Sequence, residues 1–224
     1  MKEGYRHEYK YLISRSAAEL LRRRLPCIME RDPHAGPKGQ YTIRSLYFDD
    51  FAYKALDEKL SGIAHRTKYR IRYYNYDPDV LKLERKEKHE SLTRKTAQTI
   101  TLEEAWILQQ ALDYPVSGDL AKELQNRCRW EGFRPKVLVD YDRTPFVCRD
   151  GNTRITLDEN LRTRSYDSKL FSSPRAMIPI LQPDQVILEV KFDDFLPGYL
   201  AEALADIPKV PLAISKFALC LSIL

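Results

Sequence analysis

The hydrophobic pattern of the chain predicts strands that carry charged residues on one face. From Arg66 to Tyr76 polar and apolar residues alternate, so that successive side chains point to opposite faces. A second alternating run, from Val80 to Lys88, follows the turn residues around Pro78. One face of each predicted strand holds the following residues: Lys68, Arg70, Arg72 and Tyr74 in the first, and Lys82, Glu84, Lys86 and Lys88 in the second.

Two neighbouring strands with basic faces place like charges side by side. At about 4 Å and an effective dielectric constant near 20, each such pair repels by about 4 kcal/mol. A face of this kind therefore favours a bound anion. The alternative is a solvated outer face, where surface ion pairs contribute under about 1 kcal/mol each.

The same alternation recurs along the chain, which favours an interior face over a solvated one. Further predicted strands are Tyr5 to Ile13, Tyr41 to Asp49, the run from Lys136 through Arg143, the run around Arg154 to Asp158, and Val186 to Phe192. Their charged faces hold Glu8 and Lys10, Arg143, Arg154 and Asp158, and Glu189 and Lys191. Asp150, Gly151 and Asn152 predict a hairpin turn. The segment from Ser91 to Thr101 fits either a strand or an ordered loop.

Helical patterns interrupt these strands. Predicted helices run from Ser14 or Ser16 to Leu25, from Phe51 to Ser61, from the Thr101 and Glu104 capping box onward, from Asp119 to Trp130, from Leu196 to Leu204, and after Ser215. We interpret the two helices within about 101–131 as a helical insertion. Their two tryptophans, Trp106 and Trp130, are predicted to be core or hinge residues. The segment from Asp32 to Gln40 is predicted as a flexible loop, and the one from Ser165 to Pro183 as an irregular crossing.

The absence of βαβ alternation argues against a Rossmann fold and favours an α+β protein with an antiparallel β-barrel and flanking helices. In a closed barrel, alternation places one face of every strand inside, so the charged faces would meet in one lumen. A barrel of about eight strands has room for side chains and one small ligand.

Composition narrows the function classes only slightly. The 224 residues are 43% hydrophobic and carry a net charge of +5, which suits one domain spanning residues 1–224. The four cysteines include no CxxC pair, and the four histidines have no HxxxH spacing, so neither pattern predicts a zinc site or a disulfide framework. The sequence has no signal-peptide pattern and no apolar run of about 18 residues, so we expect a cytoplasmic protein without a transmembrane segment.

A lumen of this composition suits phosphate chemistry. Arginine offers planar bidentate donors to phosphate oxygens, and lysine offers a point charge. A carboxylate among these cations favours a divalent metal that bridges phosphate oxygens. The sequence therefore predicts a site for a linear polyphosphate or a nucleoside triphosphate with its metal.

Eight short motifs, in order along nearly the whole chain, resemble the VTC domain, the polyphosphate polymerase domain of the vacuolar transporter chaperone complex. They are His7 to Tyr11, Ser45 to Asp49, Tyr69 to Tyr73, Leu83 to Lys86, Tyr141 to Thr144 with Phe146, Arg154 to Asp158, Leu188 to Lys191, and Ser215 to Phe217. That family belongs to the triphosphate tunnel metalloenzymes. The chain shows no counterpart of the SPX and membrane domains that flank the eukaryotic domain.

The resemblance implies an eight-stranded antiparallel tunnel that binds ATP and inorganic polyphosphate with Mn²⁺ or Mg²⁺. Carried over position by position, the catalytic and phosphate-binding set would be Lys10, Arg70, Arg72, Lys86, Arg143, Arg154 and Lys216, with Glu189 as a metal ligand. We add Lys191 as a phosphate ligand and Glu84 as a metal ligand on the alternation alone.

Three functions fit these expectations. The first is a polyphosphate polymerase that uses ATP; the second is a tripolyphosphatase or nucleoside triphosphatase with water as acceptor. The third is a module that binds polyphosphate without turnover. Nucleic acid is disfavoured as a partner because the basic residues alternate with apolar ones on strands rather than forming an exposed patch with aromatics. A membrane partner stays compatible with the sequence.

Overall fold

The protein is built on one large antiparallel sheet. Within residues 5–90, 92–167, 171, 177–211 and 215–224, which the computed structural model describes, this sheet contains eleven strands. The strands are β1 (Arg6–Ser14), β2 (Glu30–Arg31), β3 (Tyr41–Asp49), β4 (His65–Tyr74), β5 (Asp77–His89), β6 (Leu92–Ile100), β7 (Arg134–Cys148), β8 (Thr153–Ser165), β9 (Ile178–Pro179), β10 (Gln185–Phe192) and β11 (Val210–Pro211). The helices are α1 (Arg15–Arg24), α2 (Lys54–Leu60), α3 (Leu102–Gln110), α4 (Asp119–Trp130), α5 (Gly198–Ala203) and α6 (Lys216–Leu221).

Eight of these strands close into a barrel. They follow one another in the order β7, β3, β4, β5, β6, β1, β10 and β8, and β8 pairs with β7 to complete the ring. The seam between β1 and β6 is short, because only Arg6 with Thr93 and His7 with Leu92 pair across it. The predicted eight-stranded antiparallel barrel with flanking helices is confirmed.

The barrel separates a charged interior from apolar outer faces. The outer side of β3, β4 and β5 packs against α3 and α4 through residues such as Leu46, Ile71 and Leu124. The outer side of β1, β8 and β10 packs in the same way against α1 and α5. Helix α6 instead enters the barrel, where Phe217 and Cys220 pack with interior residues of β3, β7 and β10. It therefore fills part of the lumen with apolar side chains.

Most local predictions agree with the structure. The Ser14 side chain caps α1, Thr101 and Glu104 form the capping box of α3, and Ser215 caps α6. The turn between β7 and β8 contains Gly151 at φ 60°, where a Cβ atom would lie 2.3 Å from the Phe195 carbonyl oxygen, so this position requires glycine. The undecided segment after Ser91 is the strand β6; Ser91 itself, like residues 168–170 and 172–176 of the predicted crossing, lies outside the described residues.

The two tryptophans were predicted as core or hinge residues, and neither belongs to the core; the hinge role stays a prediction. Trp106 is 53% exposed and Trp130 is 77% exposed. Helix α4 buries Leu120, Leu124 and Cys128 at helical spacing, and Trp130 lies past the end of that stripe. The helices α3 and α4 thus bury their aliphatic residues against the barrel and leave both indoles in solvent.

The segment predicted as a flexible loop is folded onto the barrel. It contains a short 3₁₀ turn at Pro33–Ala35, and its Asp32 and Ala35 are buried. No helix of the described residues combines the length and the apolar character needed to cross a bilayer.

A buried ion pair on the outer face of the barrel provides a test of this fold. Arg44 on β3 and Asp140 on β7 are 2% and 0% exposed, and two guanidinium nitrogens of Arg44 donate to the carboxylate at 2.8 and 2.9 Å. An Arg44→Met substitution leaves the carboxylate buried without this guanidinium, which should lower the free energy of unfolding by about 3 to 5 kcal/mol. Urea denaturation measures this loss.

The control is Arg94→Met, which removes an exposed arginine of β6 that lies 3.9 Å from Glu87. It should change the free energy of unfolding by less than about 1 kcal/mol. Equal effects of the two substitutions would contradict the assignment of Arg44 and Asp140 as a buried structural pair.

Candidate functional site

A strongly cationic cavity of about 190 Å³ lies inside the barrel. Among the described residues, eleven lysines and arginines line it, against two carboxylates. The basic residues are Lys10, Lys59, Arg66, Lys68, Arg70, Arg72, Lys86, Lys88, Arg143, Lys191 and Lys216, and the acidic ones are Glu8 and Glu189. Such an excess of positive charge in a partly enclosed space favours a polyanionic ligand.

The strand register brings these side chains together. Lys68 on β4 lies opposite Lys86 on β5, so two ammonium groups are direct cross-strand neighbours. Two residues along β4, Arg70 lies opposite Glu84. Alternation keeps every second residue of both strands on the lumen side. The basic stripe seen in the sequence is therefore an interior surface.

Acidic and basic residues alternate along the lumen faces of β1 and β10, so that each lies opposite a residue of the other charge. Glu8 lies opposite Lys191, and Lys10 lies opposite Glu189. Glu8 also contacts Lys10 on its own strand and accepts from the ammonium of Lys86 at 2.5 and 2.8 Å. Each carboxylate here is in contact with lysines, so little negative charge is free to offset the other cations.

A second cluster joins β7, β8, β10 and α6. The guanidinium of Arg143 donates to both oxygens of Asp158 at 2.7 Å and lies 3.5 Å from Glu189. The ammonium of Lys216 lies 2.5 Å from Asp158 and 3.8 Å from Glu189. Burial alone would raise the pKa of Glu189, but the charges of Lys191 and of neighbouring lysines hold it well below its ordinary value. Glu189 is therefore an ionised carboxylate in the cavity wall.

A third cluster surrounds Glu84, which is fully buried on the lumen side of β5 and does not itself line the cavity. Arg70 donates from Nε at 2.7 Å, Lys95 donates from Nζ at 3.1 Å, and Arg72 lies 3.8 Å away. Burial would raise the pKa of Glu84, but the charges of Arg70 and Arg72 hold it below its ordinary range. Glu84 thus fixes two arginines that face the cavity.

Interior tyrosines fix the same two arginines. The hydroxyl of Tyr47 accepts from Arg70 at 2.8 Å, and the hydroxyl of Tyr141 accepts from Arg72 at 3.0 Å. The hydroxyl of Ser45 accepts from Nε of Arg72 at 3.1 Å. Because both guanidinium groups are held from several sides, they are ordered before any ligand arrives, which lowers the entropic cost of binding.

Helix α6 and its N-terminal cap contribute further cavity residues, Ser215, Lys216 and Phe217. Ser215 caps the helix and also accepts a hydrogen bond from Lys68 at 2.9 Å. Phe217 packs on the ring of Tyr47, with 5.2 Å between the ring centroids, and Lys68 lies over its face. This helix therefore places a cation and an aromatic surface at the end of the cavity.

Several cavity lysines have lowered pKa values. Burial, together with the charges of Lys86 and Arg66, lowers the pKa of Lys68 to about 7. Burial lowers the pKa of Lys86 to about 8, and burial with the charge of Lys86 lowers that of Lys191 to about 7. The pKa of Lys216 is raised, because Asp158 and Glu189 outweigh its burial. An anion would raise the lowered values by supplying the missing counter-charge.

The structure brings most of the predicted site residues together. The cavity is lined by Lys10, Arg70, Arg72, Lys86, Arg143, Lys191, Lys216 and Glu189, all predicted from the sequence. Glu84 and Arg154 do not line it: Glu84 lies behind Arg70, and Arg154 contacts Asp32 and Tyr41. The roles assigned to these residues stay predictions.

Some cavity residues were not assigned a role by the sequence interpretation. Glu8, Lys68 and Lys88 were predicted on the charged strand faces that meet in the lumen, but they were left out of the phosphate- and metal-binding set. Arg66 stood at the start of the same pattern. Lys59 lies on α2, and its helical position carries no signal that it would reach the lumen.

The predicted metal needs ligands beyond those of the protein. In the described part of the chain, no three His, Cys, Asp or Glu side chains are grouped so as to hold a metal ion. Glu189 and Glu8 are the carboxylates in the cavity lining, and both also contact lysines. Glu189 fits a divalent metal as one ligand whose remaining partners are phosphate oxygens and water.

Comparisons with known proteins identify the family of the chain and show that its fold is found in other proteins. The family model of the VTC domain matches residues 5–224. A proposed adenylate cyclase from Bacillus halodurans has a similar structure, with a TM-score of 0.57 and 17% identity over 93% of this chain and 95% of that one. A proposed adenylyl cyclase from Hippeastrum, described as having a dominant triphosphatase activity, gives a TM-score of 0.53 and 16% identity over 97% and 95%. No curated protein gives a significant match.

The lowered lysine pKa values predict that binding of tripolyphosphate is coupled to proton uptake. Near neutral pH part of Lys68, Lys86 and Lys191 is uncharged, and the ligand raises their pKa values, so protons bind together with it. Affinity should therefore fall as the pH rises from about 6 to about 9. Calorimetry in buffers of different ionisation enthalpy measures the uptake directly.

A lysine outside the barrel provides the control for this measurement. Lys122→Met alters an exposed lysine on α4 and should leave the proton uptake unchanged, whereas Lys68→Met should reduce it. Proton release, or affinity that does not change over this pH range, would contradict the prediction.

Proposed function

The chain belongs to the VTC domain family, and from this premise we propose that it is a polyphosphate polymerase that transfers the γ-phosphoryl group of ATP to a growing polyphosphate chain. The observation that carries the proposal is the excess of cations in the lumen, where the described residues place eleven basic side chains against two carboxylates. The family and the fold support phosphoryl chemistry inside a tunnel. The acceptor and the product are our inference.

A triphosphate is the ligand class that best fits this cavity. Its negative charges are arranged along a line, and the cavity residues Lys68, Arg70 and Arg72 follow one another along the inner face of β4. A compact anion such as sulfate would neutralise only a small part of this surface. A duplex nucleic acid is too wide for a lumen of about 190 Å³.

Arg72, Arg143 and Lys216 are the residues that we expect to stabilise charge on the transferring phosphoryl group. The arginines are held by hydroxyl and carboxylate acceptors, and the pKa of Lys216 is raised, so all three carry their charge before the substrate binds. Such preorganised cations stabilise developing charge without the cost of reorganisation. Phe217 and Tyr47 cover part of the lumen and reduce the access of water to it.

The family is one of tunnel metalloenzymes, which implies dependence on a divalent metal, and Glu189 is the residue that we expect to contribute a ligand. When bound, a divalent metal neutralises charge on the phosphate oxygens as the bridging bond breaks. The chain's own residues bind the phosphates and orient them. Mn²⁺ and Mg²⁺ both suit the oxygen ligands available.

The proposed transfer needs no nucleophile from the protein. A terminal oxygen of the acceptor phosphate forms a bond to the γ-phosphorus, and the bond from that phosphorus to the β–γ bridging oxygen breaks. ADP leaves with the bridging oxygen, and the acceptor becomes longer by one phosphate. The lumen residues contribute by holding acceptor and donor in line and by neutralising charge.

Hydrolysis is the second candidate, because the same lumen with water as acceptor would release phosphate. Hydrolysis is supported as a candidate by the similarity to the Hippeastrum protein, which is described as having a dominant triphosphatase activity. A third candidate, binding of polyphosphate without turnover, uses the same cations and no acceptor. The three differ in what reaches the γ-phosphate, not in how it is bound.

Incubation with ATP and either Mn²⁺ or Mg²⁺ distinguishes the three candidates. The proposal predicts a ladder of long polyphosphate on a gel and ADP in matching amounts. Free phosphate without polymer would identify a phosphatase. Calorimetric binding without consumption of ATP would identify a binding module. Either result would contradict the polymerase proposal.

Substitution of Arg72 tests the role of the lumen cations. We expect Arg72→Ala to lower kcat/KM for ATP by about a hundredfold or more, because one preorganised donor to phosphate is lost. The fold should persist, because Glu84 keeps its contacts with Arg70 and Lys95. Melting temperature checks the fold, and steady-state kinetics measure the loss.

The matched control is Arg94→Ala on β6, which removes an exposed arginine that does not line the cavity. It should leave kcat/KM within about twofold of the wild type. A wild-type rate for Arg72→Ala, with the same melting temperature, would exclude the lumen as the site of reaction.

A further inference from the structure

Arg154 occupies an unusual position among the lumen cations. It lies directly opposite Lys191 on the neighbouring strand, so the two share the interior face of the barrel. Its guanidinium nevertheless does not line the cavity. Instead, Nη2 donates to Asp32 at 2.6 Å and to the hydroxyl of Tyr41 at 2.8 Å. A cation of the interior face is thus already paired with a carboxylate from outside the barrel strands.

Unpaired polar atoms lie next to this contact. The hydroxyl of Thr156 belongs to a side chain that is 2% exposed, and it has no hydrogen-bond partner among the described residues. Thr156 lies opposite Glu189 and is two residues from Arg154, so it shares the same face. Nε of Arg154 is also buried and unpaired. Buried polar atoms without partners are costly, and here two of them belong to residues of β8 that lie opposite Lys191 and Glu189, which line the cavity.

The carboxylate of Asp32 links Arg154 to the conformation of a loop. One oxygen accepts from the backbone N–H of His34 and so caps the short turn at Pro33–Ala35. The other oxygen accepts from Arg154. Asp32 keeps its role as a turn cap when Arg154 leaves, so the ion pair is able to open without loss of the turn.

We propose that Asp32 is a chain-length gate, and that a polyphosphate extending past Lys191 displaces it from Arg154. The next phosphate then binds Arg154 and the hydroxyl of Thr156, which gives partners to the two orphaned atoms. This inference rests on the proposed function, because it assumes that phosphate chains enter the lumen. A short chain that ends at Lys191 does not open the pair, so Asp32 affects long chains alone.

Competition between two anions for one guanidinium determines the expected effect. In the free protein Asp32 occupies Arg154, and a long chain must replace one charge-assisted hydrogen bond with another. Asp32→Asn weakens the competitor and preserves an oxygen that caps the turn. The affinity for long chains should therefore rise. The affinity for chains that stop at Lys191 should stay the same, because these chains do not compete with Asp32 for Arg154.

The test compares calorimetric affinities for tripolyphosphate and for long-chain sodium polyphosphate, at fixed salt and without metal. For Asp32→Asn we expect the ratio of long-chain to tripolyphosphate affinity to rise by about fivefold to tenfold, the effect of one weakened charge-assisted contact. For the isosteric Thr156→Val the same ratio should fall, because the buried subsite loses its hydroxyl. Asp32→Asn also makes the net charge of the protein more positive, which strengthens the binding of both ligands. This general effect cancels in the ratio of the two affinities.

Glu159→Gln is the control for the charge effect. Glu159 also lies on β8, is buried, and pairs with Arg22 on α1, away from Arg154. Its ratio should equal that of the wild type. Melting temperatures confirm that the variants fold.

The outcomes separate the gate from the proposed function. Wild-type binding of both ligands, with the same ratio in Asp32→Asn as in the wild type, overturns the gate and leaves the proposed function standing. Failure of the wild type to bind either ligand overturns both. A raised ratio in Asp32→Asn with a lowered ratio in Thr156→Val supports the gate, whichever acceptor the enzyme uses.

Discussion

Repulsion among the cations of the lumen is the constraint on which this structure depends. Guanidinium and ammonium groups at contact distance in a partly desolvated space repel by several kcal/mol per pair. Among the described residues, four carboxylates offset part of this repulsion: Glu8, Glu84, Asp158 and Glu189, each in contact with at least two cations. Burial, together with the charges of neighbouring cations, lowers the pKa of Lys68 and of Lys191 to about 7, so part of these two lysines is uncharged near neutral pH. On our proposal, a phosphate chain is the ligand that supplies the missing negative charge.

The closed barrel is what makes this arrangement stable. The strand register places Lys10 opposite Glu189 and Arg70 opposite Glu84, so these cations of the interior each have a carboxylate as cross-strand neighbour. The apolar outer faces pack against helices and provide the hydrophobic burial that offsets the cost of a charged interior. Helix α6 completes the lumen by bringing Lys216 and Phe217 from the end of the chain into contact with the strands. The apolar contacts on the outside of the barrel thus stabilise the fold, and the charged residues on the inside form the candidate binding site.

The sequence predicted the barrel and the strand residues of the site because alternation is a local signal. Lys10, Arg70, Arg72, Lys86 and Glu189 occupy the predicted face and meet in the cavity. The pairing of Arg154 with Asp32 was not predictable, because it joins positions 122 residues apart through a loop without periodicity. Lys59 was missed for a similar reason, since the sequence of α2 does not indicate how the helix docks. The exposure of Trp106 and Trp130 depends on which helix face packs against the barrel, and their apolar character alone does not determine it.

A crystal structure of the protein with tripolyphosphate would show directly whether the lumen binds phosphate chains. We expect phosphate density inside the barrel, with oxygens within hydrogen-bonding distance of Arg72, Arg143 and Lys216. Density confined to the outer surface, with the lumen side chains keeping only their present contacts with one another, would contradict it.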